Sequence, residues 1–159
     1  MPSRILVDAD ACPVKPEVYR VAARYGLEVT LVANSWMRIP PDDNLELIVV
    51  EGGFDAADDW IVEHVVEDDI VISADIPLAS RCLKKRAFVL GPTGRLFTED
   101  GIGDALATRD LLSELRAGGT ITGGPPPLAP SDRSRFLQRL DELVLAIRAG
   151  KPPRRASPD

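Results

Sequence analysis

Short apolar runs alternate with segments of helical periodicity along this chain, and this alternation constrains the fold more than any other feature. We predict strands in the apolar runs, over residues 4–8, 29–33, 45–50, 70–73 and 87–90. Helices are predicted over residues 13–25, 55–66, 77–85, 102–116 and 131–148. Strands that alternate with helices form βαβ units. The sequence therefore predicts a three-layer α/β/α sandwich with a mainly parallel central sheet.

The chain has 159 residues, the usual size of one domain. We predict a single α/β domain over residues 1–150 and a disordered tail over residues 151–159, which is rich in Pro and Arg. The glycine- and proline-rich run over 118–130 is interpreted as a connector. It lacks the Gly-Lys-Ser/Thr ending of a phosphate-binding loop.

Composition argues against several classes of protein. A net charge of −6 argues against non-specific electrostatic binding of nucleic acid, although it allows a local basic face. Aromatic residues make up only 5% of the chain, which leaves little material for stacking on bases. No apolar run approaches the length of a membrane span, and no signal segment is recognisable. We expect a cytoplasmic protein without membrane contact, and the oligomeric state stays open.

Six aspartates follow predicted strands at their carboxyl ends or open the next helix: Asp8, Asp10, Asp55, Asp58, Asp59 and Asp75. Ligands of open parallel sheets bind at this edge of the sheet. Carboxylates gathered there repel one another unless a cation joins them, and Mg²⁺ or Mn²⁺ prefers such oxygen ligands. We predict a metal site formed by Asp8, Asp55, Asp58 and Asp75.

A metal held by carboxylates suits the hydrolysis of a phosphate ester, because it activates water and neutralises the phosphoryl group. We assign catalytic roles to Asp8, Asp58 and Asp75. Supporting or substrate-binding roles are expected for Asp10, Asn34, Asp59, Arg109 and Arg133. For Asp55 and Asp75 the structural alternative is capping of a helix, and for Asp59 it is a solvated helix face.

Other chemistries find little material in this sequence. Cys12 and Cys82 fit no zinc spacing, and a reducing compartment is their simplest setting. Cys12 precedes a helix, which favours a reactive thiol, but the neighbouring carboxylates oppose one, so we expect it to pack under the site. His64 is the sole histidine, which leaves almost no basis for a Ser-His-Asp or histidine–zinc mechanism.

Four motifs together resemble the YaiI/YqxD family of bacterial proteins. They are Asp-Ala-Asp-Ala-Cys-Pro-Val at 8–14, Asp-Ala-Ala-Asp-Asp-Trp at 55–60, Ser-Ala-Asp-Ile-Pro-Leu-Ala at 73–79, and a late Gly-Gly-Pro with Asp-Arg-Ser-Arg-Phe at 132–136. The resemblance extends to about Gly150. It implies a PIN-like α/β sandwich, related to metal-dependent ribonucleases of toxin systems and to flap endonucleases, and it implies no settled activity.

The resemblance also implies roles for individual acids. By position, Asp8 matches the first-strand acid of PIN-type sites, Asp58 or Asp55 the helix acid, and Asp75 the acid after a later strand. The chain departs from that pattern, because the helix acid is often Glu and Glu63 lies two turns into the helix. A shorter side chain shifts the metal, so the match of Asp58 is looser than that of Asp8.

Three functions fit these observations. The first is a Mg²⁺- or Mn²⁺-dependent nuclease-like hydrolase acting on the phosphodiester bonds of RNA or DNA. The second is a PIN-like module that binds metal or nucleic acid without turnover. The third is a phosphatase of the haloacid-dehalogenase type, with Asp8 as nucleophile and Asp10 as acid/base, but Lys84 and Lys85 lie too far along their helix for it.

Overall fold

A computed structural model of the chain describes residues 4–53, 55–102 and 128–153. Its centre is a five-stranded, fully parallel sheet with the strand order β3-β2-β1-β4-β5. The strands are β1 (Ile5–Asp8), β2 (Val29–Ala33), β3 (Leu45–Val49), β4 (Ile70–Ile72) and β5 (Phe88–Leu90). The prediction of a parallel sheet is confirmed, and each strand lies within one residue of its predicted bounds.

Helices cover both faces of this sheet. They are α1 (Lys15–Tyr25), α2 (Ala56–His64), α3 (Ile76–Lys84) and α4 (Pro130–Arg148). Helices α1 and α4 pack on one face, and α2 and α3 pack on the other. The predicted three-layer α/β/α architecture is confirmed. None of the described helices is both long enough and apolar enough to cross a membrane.

Strand β1 lies at the centre of the sheet because both of its faces are apolar. Val7 packs towards α1 and α4, whereas Leu6 packs towards α2 and α3, and neither side chain is exposed to solvent. A continuous apolar run is what a parallel strand buried on both faces requires. The first polar residue of the run, Asp8, therefore emerges at the edge of the sheet, where β1 ends.

Two details of the helices differ from the predictions. The second helix was predicted to extend to Val66, but α2 ends at His64, Val65 is extended and Val66 is 58% exposed. The last helix was predicted to begin at Ser131, but α4 begins one residue earlier, at Pro130. Its first turn is closed by Asp132, whose Oδ2 accepts the backbone N–H of Ala129 at 3.0 Å.

Three predictions lie outside the described residues, at least in part. The helix over 102–116 lies there except for Ile102, which is buried. Most of the connector over 118–130 and most of the tail over 151–159 also lie there.

The order of the strands determines where a ligand can bind. The chain runs outwards from β1 through β2 to β3 and then crosses back to place β4 on the other side of β1. In open parallel sheets the binding crevice lies at the carboxyl ends of the two strands where this reversal occurs. Here those strands are β1 and β4, which end at Asp8 and just before Ser73.

Candidate functional site

A chain of hydrogen bonds joins the ends of β1 and β4. The Ser73 hydroxyl donates to Oδ2 of Asp8 at 3.2 Å and accepts the backbone N–H of Asp75 at 3.0 Å. Ser73 is itself buried, so its orientation is held by the surrounding protein. The Asp8 carboxylate is therefore held in place at the crevice. Sequence reasoning did not single out Ser73, although its position directly after a buried strand was a usable signal.

Asp75 performs the structural role that the sequence left as its alternative. Its Oδ1 accepts the backbone N–H of Leu78 at 2.9 Å, which caps the N-terminus of α3. Pro77 follows in the first turn of that helix, a position where its missing N–H costs no hydrogen bond. Capping does not remove the negative charge, and Asp75 raises the pKa of both Asp8 and Asp58.

Asp58 has the most strongly shifted pKa among the described carboxylates. Its pKa is raised to about 6, first by burial and then by the negative charges of Asp75, Asp8 and Asp55. Arg81 opposes this shift only weakly. Four carboxylates from three chain segments thus lie within electrostatic range of one another at the edge of the sheet.

The raised pKa of Asp58 predicts a dependence of stability on pH in metal-free buffer. The folded state holds a proton on Asp58 up to about pH 6, whereas the unfolded chain loses it near 3.8. This contribution to stability is therefore present at pH 4 and is lost as the pH rises to 6. We expect Asp58→Asn to raise the free energy of unfolding above pH 6 by about 1 kcal/mol, a value discounted for solvent screening.

Urea unfolding of wild type and variant in EDTA, at pH 4 and pH 7.5, measures this difference. Asp59→Asn is the matched control, because Asp59 is the neighbouring acid and forms an exposed ion pair with Arg81 at 2.9 Å. Loss of that pair should change stability by less than about 1 kcal/mol. Equal destabilisation by both variants at pH 7.5 would show that Asp58 is not under repulsion.

Asp8 is a second acid whose charged form is disfavoured in the folded protein. Burial is the main cause that raises its pKa, and the charges of Asp75 and Asp10 add to it. The Ser73 hydrogen bond and the charge of Lys15 lower the pKa, but they do not outweigh the burial. A bound cation would offset both the burial and the neighbouring negative charges, because an opposite charge favours the ionised carboxylate.

Lys15 is a cation near the site that sequence reasoning missed. It is half-buried at the start of α1, and its Nζ donates to the carbonyl oxygen of Cys12 at 2.9 Å. Cys12 directly follows the short 3₁₀ turn of Ala9–Ala11, and the charge of Lys15 lowers the pKa of Asp8. The signal in the sequence was its position close behind the Asp-x-Asp pair.

Asp10 is connected to the neighbouring strand. Its Oδ2 accepts the backbone N–H of Asn34 at 2.8 Å, which ties the loop after β1 to the loop after β2. Asn34 was expected to contribute to the site, and its observed contact is made through the backbone. Asp10 is exposed and its charge raises the pKa of Asp8, so it lies beside the acids without sharing their burial.

The other predicted site residues are more widely distributed. Asp55 precedes α2 and is exposed, and Asp59 pairs with Arg81 on the surface. Arg133 of α4 donates to the carbonyl oxygen of Pro13 at 2.7 Å and to Oε1 of Glu17 at 3.3 Å, which braces the start of α1. Arg109 lies outside the described residues.

The acids match Mg²⁺ or Mn²⁺ in donor chemistry, since all of them offer hard oxygen ligands. Within residues 4–53, 55–102 and 128–153, however, no three His, Cys, Asp or Glu side chains are grouped so that they could hold one metal ion. The joint ligation by four aspartates thus stays a prediction. Mg²⁺ usually keeps several waters and binds one or two carboxylates directly, so a magnesium site does not require three grouped side chains.

Cys12 packs partly buried against the core on the α1 face, as expected. Burial raises the pKa of its thiol more than the charge of Lys15 lowers it. The reactive form of cysteine is the thiolate, so this environment opposes a nucleophilic role.

Comparison with known proteins identifies the family. The family model described as "Uncharacterized BCR, YaiI/YqxD family" matches residues 6–146. The chain belongs to the YaiI/YqxD family. It is 60% identical to a UPF0178 protein of Paramagnetospirillum magneticum, over 89% of this chain and 94% of the relative. No solved structure matches it significantly.

Further family members are similarly close. A UPF0178 protein of Rhodopseudomonas palustris is 53% identical, over 99% of this chain and 96% of the relative. One of Brucella ovis is 55% identical, over 92% of each chain. The matches extend over nearly the full length of these relatives, and the segments that carry Asp8, Asp58 and Asp75 lie inside the region matched by the family model.

Proposed function

We propose that this YaiI/YqxD protein is a divalent-metal-dependent, nuclease-like hydrolase of phosphodiester bonds in RNA or DNA. The observation that carries the proposal is the electrostatic coupling of Asp8, Asp58 and Asp75 at the ends of β1 and β4, where burial and the neighbouring negative charges raise the pKa of Asp8 and Asp58. Acids with raised pKa values that are gathered at the switch point of a sheet favour a functional site over a structural one. The resemblance to PIN-type sites supports the same assignment.

Each acid has a distinct part in this proposal. Asp8, oriented by Ser73, is the acid best placed to bind a cation directly. Asp58 on α2 and Asp75 at the start of α3 lie within electrostatic range of Asp8 and would bind the ion directly or through water. A bound divalent ion would lower the pKa of a water ligand and neutralise charge on the phosphoryl group. Lys15, whose charge acts on Asp8 from the start of α1, is the cation proposed to attract a phosphate oxygen.

The proposal is tested by incubating the purified full chain with labelled RNA and labelled DNA, each in Mn²⁺, in Mg²⁺ and in EDTA. We expect cleavage that requires the metal. Binding of the labelled strands without cleavage at high protein concentration would contradict the hydrolase and favour a non-catalytic binding module. Trapping of an acyl-phosphate on Asp8 during turnover of a phosphate monoester would instead establish the phosphatase.

A further inference from the structure

An exposed tryptophan lies at the same edge of the sheet as the acids. Trp36 comes three residues after the end of β2 and is 75% exposed. The loop that carries it is joined to the acidic site, because the backbone N–H of Asn34 donates to Asp10. An exposed apolar side chain is ordinary by itself, so the surroundings of Trp36 have to decide its role.

The segment that carries Trp36 is anchored in the protein. Met37 and Ile39 pack, partly buried, against the core on the α1 face, whereas Trp36 and Arg38 are exposed. This alternation with period two is typical of extended backbone, in which alternate side chains share a side. Trp36 and Arg38 therefore face solvent together, about 7 Å apart along the backbone.

Arg38 provides a positive charge two residues after Trp36, on the same exposed side of the segment. Among the residues that the structure describes, none forms an ion pair with Arg38. The chain carries a net charge of −6, and Asp42 and Asp43 follow a few residues later. Although the surroundings are acidic, Arg38 has no ion pair within the described part of the chain. An exposed arginine close in sequence to an exposed indole is complementary to a ligand that has both an aromatic face and a negative charge.

We propose that Trp36 and Arg38 bind a single strand of nucleic acid as it enters the acidic crevice. Trp36 stacks on one unpaired base, and Arg38 contacts a backbone phosphate. A duplex does not offer this contact, because its bases are stacked on each other. This inference rests on the proposed function and specifies its substrate as single-stranded. Composition had argued against base stacking, but one well-placed tryptophan is sufficient for one base.

Binding is measured in the Asp8→Asn background, where hydrolysis is not expected, with short labelled oligouridylate and oligothymidylate as probes. Trp36→Ala should weaken binding about tenfold or more, and Trp36→Phe should retain most of it. Arg38→Ala should also weaken binding and reduce its salt dependence by about one phosphate contact. Quenching of tryptophan fluorescence by the strand should persist in Trp60→Phe, since Trp60 is instead stacked on His64.

Leu145→Ala is the matched control, because Leu145 is an exposed apolar residue on α4 and should not affect binding. Unchanged affinity in Trp36→Ala, or equal affinity for the matching duplex, would overturn the inference. So would a change of oligomeric state in Trp36→Ala without loss of strand binding, which would assign Trp36 to a contact between copies of the chain.

The outcomes also separate this inference from the proposed function. If wild type cleaves the strand and Trp36→Ala binds it as tightly as before, only the role of Trp36 is refuted. Trp36-dependent binding without cleavage by wild type would refute only the hydrolase.

Discussion

Replacement of Asp8 by Asn should lower metal-dependent hydrolysis by on the order of 1000-fold, because a metal site contributes several kcal/mol of charge stabilisation. Asn keeps the shape of the side chain but removes the charge that would bind the cation. It also keeps an oxygen that can accept the Ser73 hydroxyl, which is 3.2 Å from Asp8 Oδ2 in the structure. Loss of activity is thus expected without loss of the fold.

The metal-free stability of Asp8→Asn separates a chemical role from a structural one. Burial and neighbouring acids raise the pKa of Asp8, so its charged form is disfavoured in the folded protein. The neutral amide should leave the thermal midpoint equal to or above that of wild type in EDTA. Circular dichroism melts and the cleavage assay on the same preparation give both readouts.

Glu28→Gln serves as the matched control for this experiment. Glu28 is exposed and lies just before β2, at the opposite edge of the sheet from the acids. The same loss of one negative charge there should change neither hydrolysis nor metal affinity. Hydrolysis by Asp8→Asn at the wild-type rate would contradict the role of Asp8.

Truncation of Phe136 to Ala should cost about 3–5 kcal/mol of stability, which is the usual loss for a fully buried Phe. Phe136 lies on α4, is not exposed to solvent, and packs against the sheet and α1 in the same core as Val7. A domain of this kind has a total stability of roughly 5–15 kcal/mol, so the loss is a large fraction of it. Urea titration should show a lower midpoint with an unchanged slope.

Helix α4 also matters to the site, because Arg133 on its first turns braces the carbonyl oxygen of Pro13. Leu145→Ala, on the same helix but 49% exposed, should change stability by less than about 1 kcal/mol. If Phe136→Ala were as stable as Leu145→Ala, the result would contradict the packing of α4 on the sheet described above.

The sheet was predictable because its strands are buried on both faces. Leu6 and Val7 point to opposite layers, and only an uninterrupted apolar run satisfies both. The same logic gave the location of Asp8, since a strand end follows directly from the end of the apolar run. The order of the strands did not follow, because hydrophobic periodicity carries no information about which strands are neighbours.

The details of the site depend on contacts between distant segments, which a single sequence does not specify. Ser73 reaches Asp8 only because β4 crosses back to lie beside β1. Lys15 reaches the acids through a 3₁₀ turn. Sequence reasoning did not single out Trp36, because low aromatic content indicated little material for base stacking, although the alternation of Trp36 with Met37 and Ile39 is visible in the sequence.

A crystal of the full chain soaked in Mn²⁺ and measured at the manganese absorption edge tests the central claim most directly. We predict an anomalous peak at bonding distance from Asp8, in the crevice between the ends of β1 and β4, with Asp58 and Asp75 bonded to it directly or through water. The absence of a peak there at saturating Mn²⁺, or a peak only at other acids of the surface, would contradict the metal site.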